Sequence, residues 1–200
     1  AKLDEIGLLV PAHILLSRIE VDGKHVYTLT GDAQPMTPEG QHELAISVLE
    51  MFSGGEIMVL AGMSASAERK EVFSITSCAS YRIELESKGV DVRRGEPEAG
   101  VIGLAALITA LGPLKNVKTS CTIATTLGNS VDPVAAQLLL ETIRKWWGLP
   151  LPVPIDATER LAQKVKNMQT GDQKDLISEL SESPDSVSYT HLTLPTSLAV

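Results

Sequence analysis

Cysteine is scarce in this chain: Cys78 and Cys121 are its whole complement, too few for a disulfide framework and in no C-x-x-C or metal-type spacing. A reducing cytosol is the expected compartment. Basic charge is short as well, since 25 Asp and Glu face 17 Lys and Arg for a net charge of −8. No nucleic acid is expected as a partner, because phosphates are held by neutralising them. Long apolar runs are missing too. Nothing approaches the roughly 20 residues of a bilayer crossing, and no basic start with a following apolar region marks a signal peptide, so no membrane partner is expected. Aromatic residues are 4% of the chain against 44% hydrophobic overall, which leaves an aliphatic core sized for one domain.

Catalytic signatures are equally thin. A triad hydrolase needs a nucleophile, a base and an orienting group, yet no G-x-S-x-G occurs and His13, His25 and His42 fit no such pattern. These histidines pair at neither i+3 nor i+4 with one another or with a cysteine, so no metal site is expected. Cys121 reads as a small buried hydrophobe in a strand, and Cys78, opening a loop, is the better thiol. No catalytic, cofactor-binding or metal-ligating residue is assigned, and no cofactor is expected.

What is present is an alternation of strands and helices. Val26 to Leu29 suit a strand, Gly31-Asp32 breaks it, and Thr37-Pro38 reads as an N-cap with proline in the first helical position. Leu44, Ala45, Val48, Leu49 and Phe52 then recur at helical spacing up to Gly54-Gly55. Ile57–Leu60 and Val72–Thr76 read as buried strands, Ser80–Ser87 as a short helix, and Val90–Arg93 as an edge strand. The run from Val101 to Leu111 is apolar nearly all round and should pack deep or against a partner. A strand over Thr119–Thr125 precedes Asp132-Pro133, which caps a helix from Val134 to Trp147 with a wide apolar arc. Beyond Gly148, LPLPVP should be extended, and Asp156 with Glu159 resembles a capping box for a last helix. Residues 169–185 turn polar, as a tail does.

Two phosphate-type positions stand out, Gly100 to Gly103 opening one helix and Gly128-Asn129-Ser130 before another. Neither matches a Walker A or dinucleotide fingerprint, and tight turns explain the glycines. Glu84, Glu86, Asp91, Glu96 and Glu98, with Arg93-Arg94 among them, read as a solvated surface.

The wording of two blocks adds to this. LTGDAQP before a helix and GGEIMVLAG after it, together with TTLGNSVDPVAAQLLLETIRKWWGL from Thr125 to Leu149, resemble the archaeal branch of the proteasome assembly chaperone family, second-subunit type. The resemblance implies an α/β fold of three layers with a mostly parallel sheet, phosphorylase- or hydrolase-like, and a non-enzymatic protein that binds proteasome α-subunits and associates with itself or a related subunit. It also implies a strand and helix at the start of the domain for which residues 1–20 offer no counterpart, so residues 1–168 read as one N-terminally truncated domain. The helices at Val101 and Val134 are the surfaces expected to meet partners. Ser188-Tyr189-Thr190 does not match the family's C-terminal docking tail. Residues 186–197, SVSYTHLTLPTS, resemble a translated sequencing adapter, and 186–200, with His191, are left out of the expected fold. The alternative is a small-molecule site for a nucleoside or phosphate at the strand ends near Gly31, Gly62 and Thr126 to Asn129.

Overall fold

The computed structural model describes residues 2–3, 6–11, 13–31, 33–128, 132–150 and 198–199. Two short strands, β1 (Lys2–Leu3) and β2 (Leu9–Val10), pair antiparallel as a small separate sheet. Next come β3 (Ile14–Val21) and β4 (Lys24–Gly31), a hairpin whose connection is Asp22-Gly23. Both loop residues have positive φ, 49° and 73°, the geometry that lets a two-residue turn follow the twist of its strands.

Thr37 then caps α1 (Pro38–Met51): its hydroxyl accepts from the Gly40 N–H at 3.1 Å, and Pro38 sits where no N–H is needed. The chain continues through β5 (Glu56–Ser64), β6 (Val72–Ile75), α2 (Ala79–Ser87), α3 (Gly103–Leu111) and a 3-10 turn at Gly112–Lys115. After β7 (Lys118–Thr126), Asp132 accepts from the Ala135 N–H at 3.0 Å and caps α4 (Pro133–Trp147), which ends at Gly148 in the left-handed region. A two-residue strand, β8 (Leu198–Ala199), completes a sheet of order β3-β4-β8-β5-β7-β6.

The sheet is mixed, which corrects the expectation of a mostly parallel one. Among the described residues only the β5–β7 ladder is parallel. The physical cause is connection length, because a parallel neighbour needs a crossover of a dozen or more residues. The segment carrying α2 and α3 provides one between β5 and β7, whereas the Asp22-Gly23 turn forces β3 and β4 antiparallel. The proposed edge strand over Val90–Arg93 is a single bridge, Ser74 to Val92, that covers the outer side of β6.

Alternate residues of the strands feed two cores. Ile57, Val59, Phe73, Cys121 and Ile123 face α1 and α3, and Met58, Val72 and Ala124 face Ala135, Leu139 and Ile143 of α4. Helix α2 joins through Tyr81 and Leu85, which lie with Val90 against Trp146 and Trp147. At the amino end of β5 a carboxylate ties these helices together: Glu56 Oε1 accepts from Tyr81 Oη at 2.5 Å and from Trp147 Nε1 at 2.9 Å. Residues 151–154 of the LPLPVP segment, the helix after Asp156 and the tails apart from Leu198–Ala199 lie outside the described residues, as do Asp32, Asn129 and Ser130.

Candidate functional site

Strands β5 and β7 end side by side, and a cleft of about 570 Å³ opens at their carboxyl ends. Gly62, Met63 and Ser64 of β5, Arg69 and Glu96 to Ile102 line it. This is where open α/β sheets bind ligands, so its chemistry decides between a small-molecule site and a structural groove.

The arginine there is already paired. Arg69 donates to Glu96 Oε1 at 2.5 Å and to Glu71, while Arg93 donates to Glu71 Oε2 at 2.6 Å and to Glu96, with Asp91 at 3.2 Å. The Arg93 guanidinium also lies 4.3 Å from the centre of the Phe73 ring, which seats it on the core. Hydrogen bonds from Arg93 and then Arg69 hold the Glu71 carboxyl at about 2, and the same two guanidinia lower Glu96. Part of the acidic stretch expected to be solvated surface is thus a closed ionic network. With two carboxylates on Arg69 and three on Arg93, neither presents a free cation to a phosphate.

The helix starts are filled as well. Gln34, in the loop after β4, sends Oε1 to the Leu104 N–H at 3.2 Å, so the α3 terminus preceded by Gly100 already holds an acceptor. At α4 the acceptor is Asp132 itself, which also takes Lys70 Nζ at 2.7 Å. An anion brought there would meet a carboxylate. Gly128 is required by packing, since a Cβ on it would meet Ser64 Oγ at 2.5 Å and its φ is 81°. Gly31 ends β4, whereas Gly62 lines the cleft and Thr126 ends β7. The strand-end residues named from sequence are therefore only partly brought together.

The other candidates are scattered. His13 lies between β2 and β3, His25 in β4 and His42 in α1, all exposed, and no group of three or more His, Cys, Asp or Glu suited to a metal occurs among the described residues. Cys121 is fully buried in β7 and burial pushes its thiol up to about 12. Cys78 sits at the start of α2, half-buried, its Sγ 3.1 Å from Ser80 Oγ, and that hydrogen bond lowers its pKa. Titration with a maleimide on the folded chain is expected to modify Cys78 and spare Cys121 until denaturant is added. Two equally fast thiols would contradict the placement of β7.

Acid should loosen the cleft wall. Glu71 titrates near 2 when folded and near its ordinary 4.5 when unfolded, so its contribution is full above about 4.5 and is lost as pH falls toward 2. Urea midpoints are expected to be flat from pH 7 to 5 and to fall below that. Glu71→Gln should flatten the fall; an unchanged acid profile in that variant would contradict the network.

Two helices expected to meet partners are largely committed inside the chain. Leu104, Ile108 and Thr109 of α3 are buried against α1, β5 and β7, and Ala135, Leu139 and Ile143 of α4 against the other face of the sheet. Exposed aliphatic side chains gather elsewhere: Leu8 and Leu9 beside the first small sheet, and Ile14, Leu15, Leu16 and Ile19 on β3. Sequence reading passed over this stretch, although Asp22-Gly23 between apolar runs signals a hairpin.

With that geometry in hand, comparison with known proteins is informative. The PAC2 family model matches residues 3–173. The chain belongs to the PAC2 family. Among solved structures, this PAC2 protein is similar to Pyrococcus furiosus PbaA, an archaeal homolog of proteasome-assembly chaperone, with a TM-score of 0.61 and 19% identity over 88% of this chain and 77% of that one. It is also similar to PbaB of the same organism, an archaeal proteasome activator, with a TM-score of 0.56 and 20% identity over 85% of this chain and 77% of that one. An uncharacterized protein of Methanocaldococcus jannaschii is 23% identical over 149 residues, 73% of this chain and 56% of that protein. The chain thus spans little more than half of that curated relative. At these identities the solved structures establish a shared α/β fold with a mixed sheet. No helix among the described residues is long and apolar enough to cross a membrane.

Proposed function

We propose that this PAC2 protein is a non-enzymatic, proteasome assembly chaperone-like protein that binds proteasome α-subunits. One observation carries the reading: the aliphatic surface of β3 and the segment before it is exposed, with Leu9 72% and Leu15 56% accessible. A surface of clustered apolar side chains suits a protein partner, and a cleft whose Arg69 is already paired with Glu71 and Glu96 suits phosphate binding poorly. The three-layer, phosphorylase-like kinship, an archaeal cytosolic setting and self-association or pairing with a related subunit belong to the same proposal.

The test is a pulldown of purified α-subunits by the full 200-residue chain. Retention is expected, and Leu15→Lys with Ile19→Lys should weaken it ~10-fold or more while leaving the melting temperature nearly unchanged, as exposed positions allow. Unaltered retention by the double variant would move the interface elsewhere. No retention by the parent chain would favour the second reading, a nucleoside or phosphate ligand in the 570 Å³ cleft. That reading requires a melting shift with those ligands at many times Kd.

A further inference from the structure

The first hairpin of the main sheet turns half of its backbone groups outward. A turn with both central residues at positive φ closes on a hydrogen-bonded pair, here Val21 with Lys24. Bonded and non-bonded pairs alternate from there, so the N–H and C=O groups of Glu20, Arg18, Leu16 and Ile14 point away from β4. Strand β3 is the end strand of the sheet order, and among the described residues no strand other than β4 pairs with it.

Natural edges are blunted by bulges, proline, charge or cover. Here the register runs without a bulge from Ile14 with Gly31 to Val21 with Lys24, and ILLSRIEV contains no proline. The opposite edge is treated differently: β6 is covered where Ser74 N–H donates to Asp91 O at 2.7 Å and Ser74 O accepts from the Arg93 N–H at 2.9 Å. Strand β3 also exposes aliphatic side chains on both faces, Ile14 and Leu16 on one, Leu15 and Ile19 on the other. An added strand would cover both at once. Arg18 and Glu20, on the same face, are the only charges in β3.

Those two charges decide the occupant. A second copy paired antiparallel about a twofold axis must set outward groups against outward groups. Matching Arg18 to the copy's Glu20 then confines the ladder to Ser17–Val21, because Leu16 falls opposite Asp22 in the turn. Longer overlaps set Arg18 against the copy's Arg18 or against its Leu16, and cross-strand pairing disfavours like charges placed opposite each other. We propose that β3 receives an extended segment of a different protein as an added antiparallel strand, one with a carboxylate opposite Arg18, a basic side chain opposite Glu20 and β-branched residues around them. Main-chain hydrogen bonds from Ile14 to Glu20 hold the segment, and the order of the charges fixes its register. This mode of binding rests on the reading above that β3 meets a protein partner; it adds how the partner is held and the chemistry its segment must have.

Residue-resolved hydrogen exchange on the 200-residue chain is the experiment, with two probes: purified α-subunits, and a peptide of valine and threonine as long as β3 that sets Glu opposite Arg18 and Lys opposite Glu20. In the free chain the amides of Leu16, Arg18 and Glu20 are expected to exchange fast beside slow Ser17 and Ile19, and the matched peptide should slow those three by ~10-fold or more. A peptide with its Glu and Lys exchanged should bind ~10-fold more weakly, and Arg18→Glu with Glu20→Arg in the chain should reverse that preference. Retained α-subunits that leave the three amides fast would overturn strand addition while the partner reading stands. Protection by the matched peptide without retention of α-subunits would support strand addition and remove α-subunits as its source. Amides already slow in the free chain would show the edge occupied from within, and slowing that grows with chain concentration would assign it to a second copy; either overturns the proposal. So would equal binding of the two peptides, or binding of neither.

Discussion

Phe73→Ala is expected to cost about 3–5 kcal/mol, the range for deleting a fully buried aromatic ring, and to lower the melting temperature by roughly 10 °C for a chain of this size. Phe73 is fully buried in β6 opposite Ile123, within the cluster that α1 and α3 close over. Its loss acts twice. The cavity removes packing from the larger core, and the Arg93 guanidinium loses the ring it lies against, a contact worth about 0.5–1 kcal/mol. Arg93 in turn holds Glu71 and Glu96, so the lining of the cleft loosens with the core. Phe73→Leu, which keeps most of the volume, should cost about 1.5 kcal/mol or less. The double variant Phe73→Ala with Arg93→Ala should cost less than the two single changes added, because the residues are in contact. Denaturant melts of the four proteins check this, and strict additivity would show that Arg93 does not depend on the ring. A loss below about 1 kcal/mol for Phe73→Ala would contradict the burial itself.

The parts of this fold that were legible in the sequence are those set by local chemistry. Thr37-Pro38 and Asp132-Pro133 mark helix starts because a side-chain oxygen and a ring without N–H meet needs of the first turn alone. The apolar run to Leu111 was legible as a deep helix, but its neighbour was not: an all-round apolar pattern is the same whether α1 or another molecule covers it. That is why α3 and α4 were expected at an interface and lie largely in the two cores. The hairpin before α1 was legible and passed over, since Asp22-Gly23 carries the two positive φ values of its turn. Sheet direction was not, because it depends on which strands become neighbours. The ionic network at the cleft is the same kind of fact. Glu71 and Arg93 are 22 residues apart in sequence, and only the pairing of β6 with the bridge at Val92 brings them within 2.6 Å. Charge runs read as solvent-facing until the tertiary neighbour is known.

Gly112→Ala shows how packing overrides backbone preference, and it should destabilise by about 2–4 kcal/mol. Backbone reasoning alone gives the opposite sign. Gly112 has φ −48° and ψ −53°, ordinary helical values, so alanine would gain about 0.4–1 kcal/mol by restricting the unfolded chain. The space around it decides otherwise. A Cβ there would fall inside contact distance of Thr119 Cγ2 and Oγ1 and 2.7 Å from Thr119 Cβ. Thr119 is fully buried and cannot swing into solvent, and its hydroxyl donates to the Thr109 carbonyl at 2.8 Å. Moving it aside breaks a buried hydrogen bond, at about 1–3 kcal/mol, and shifting the 3-10 turn instead strains a packed core by a similar amount. Either exceeds the entropic gain. Thr119→Ala added to Gly112→Ala should recover only part of the loss, because the Cβ of residue 119 stays too close. Gly89→Ala is the useful contrast: with φ 81° and open space around it, it should cost about 1 kcal/mol from backbone strain alone. Equal losses at Gly112 and Gly89 would mean that conformation, and not the wall formed by Thr119, sets the requirement for glycine after α3.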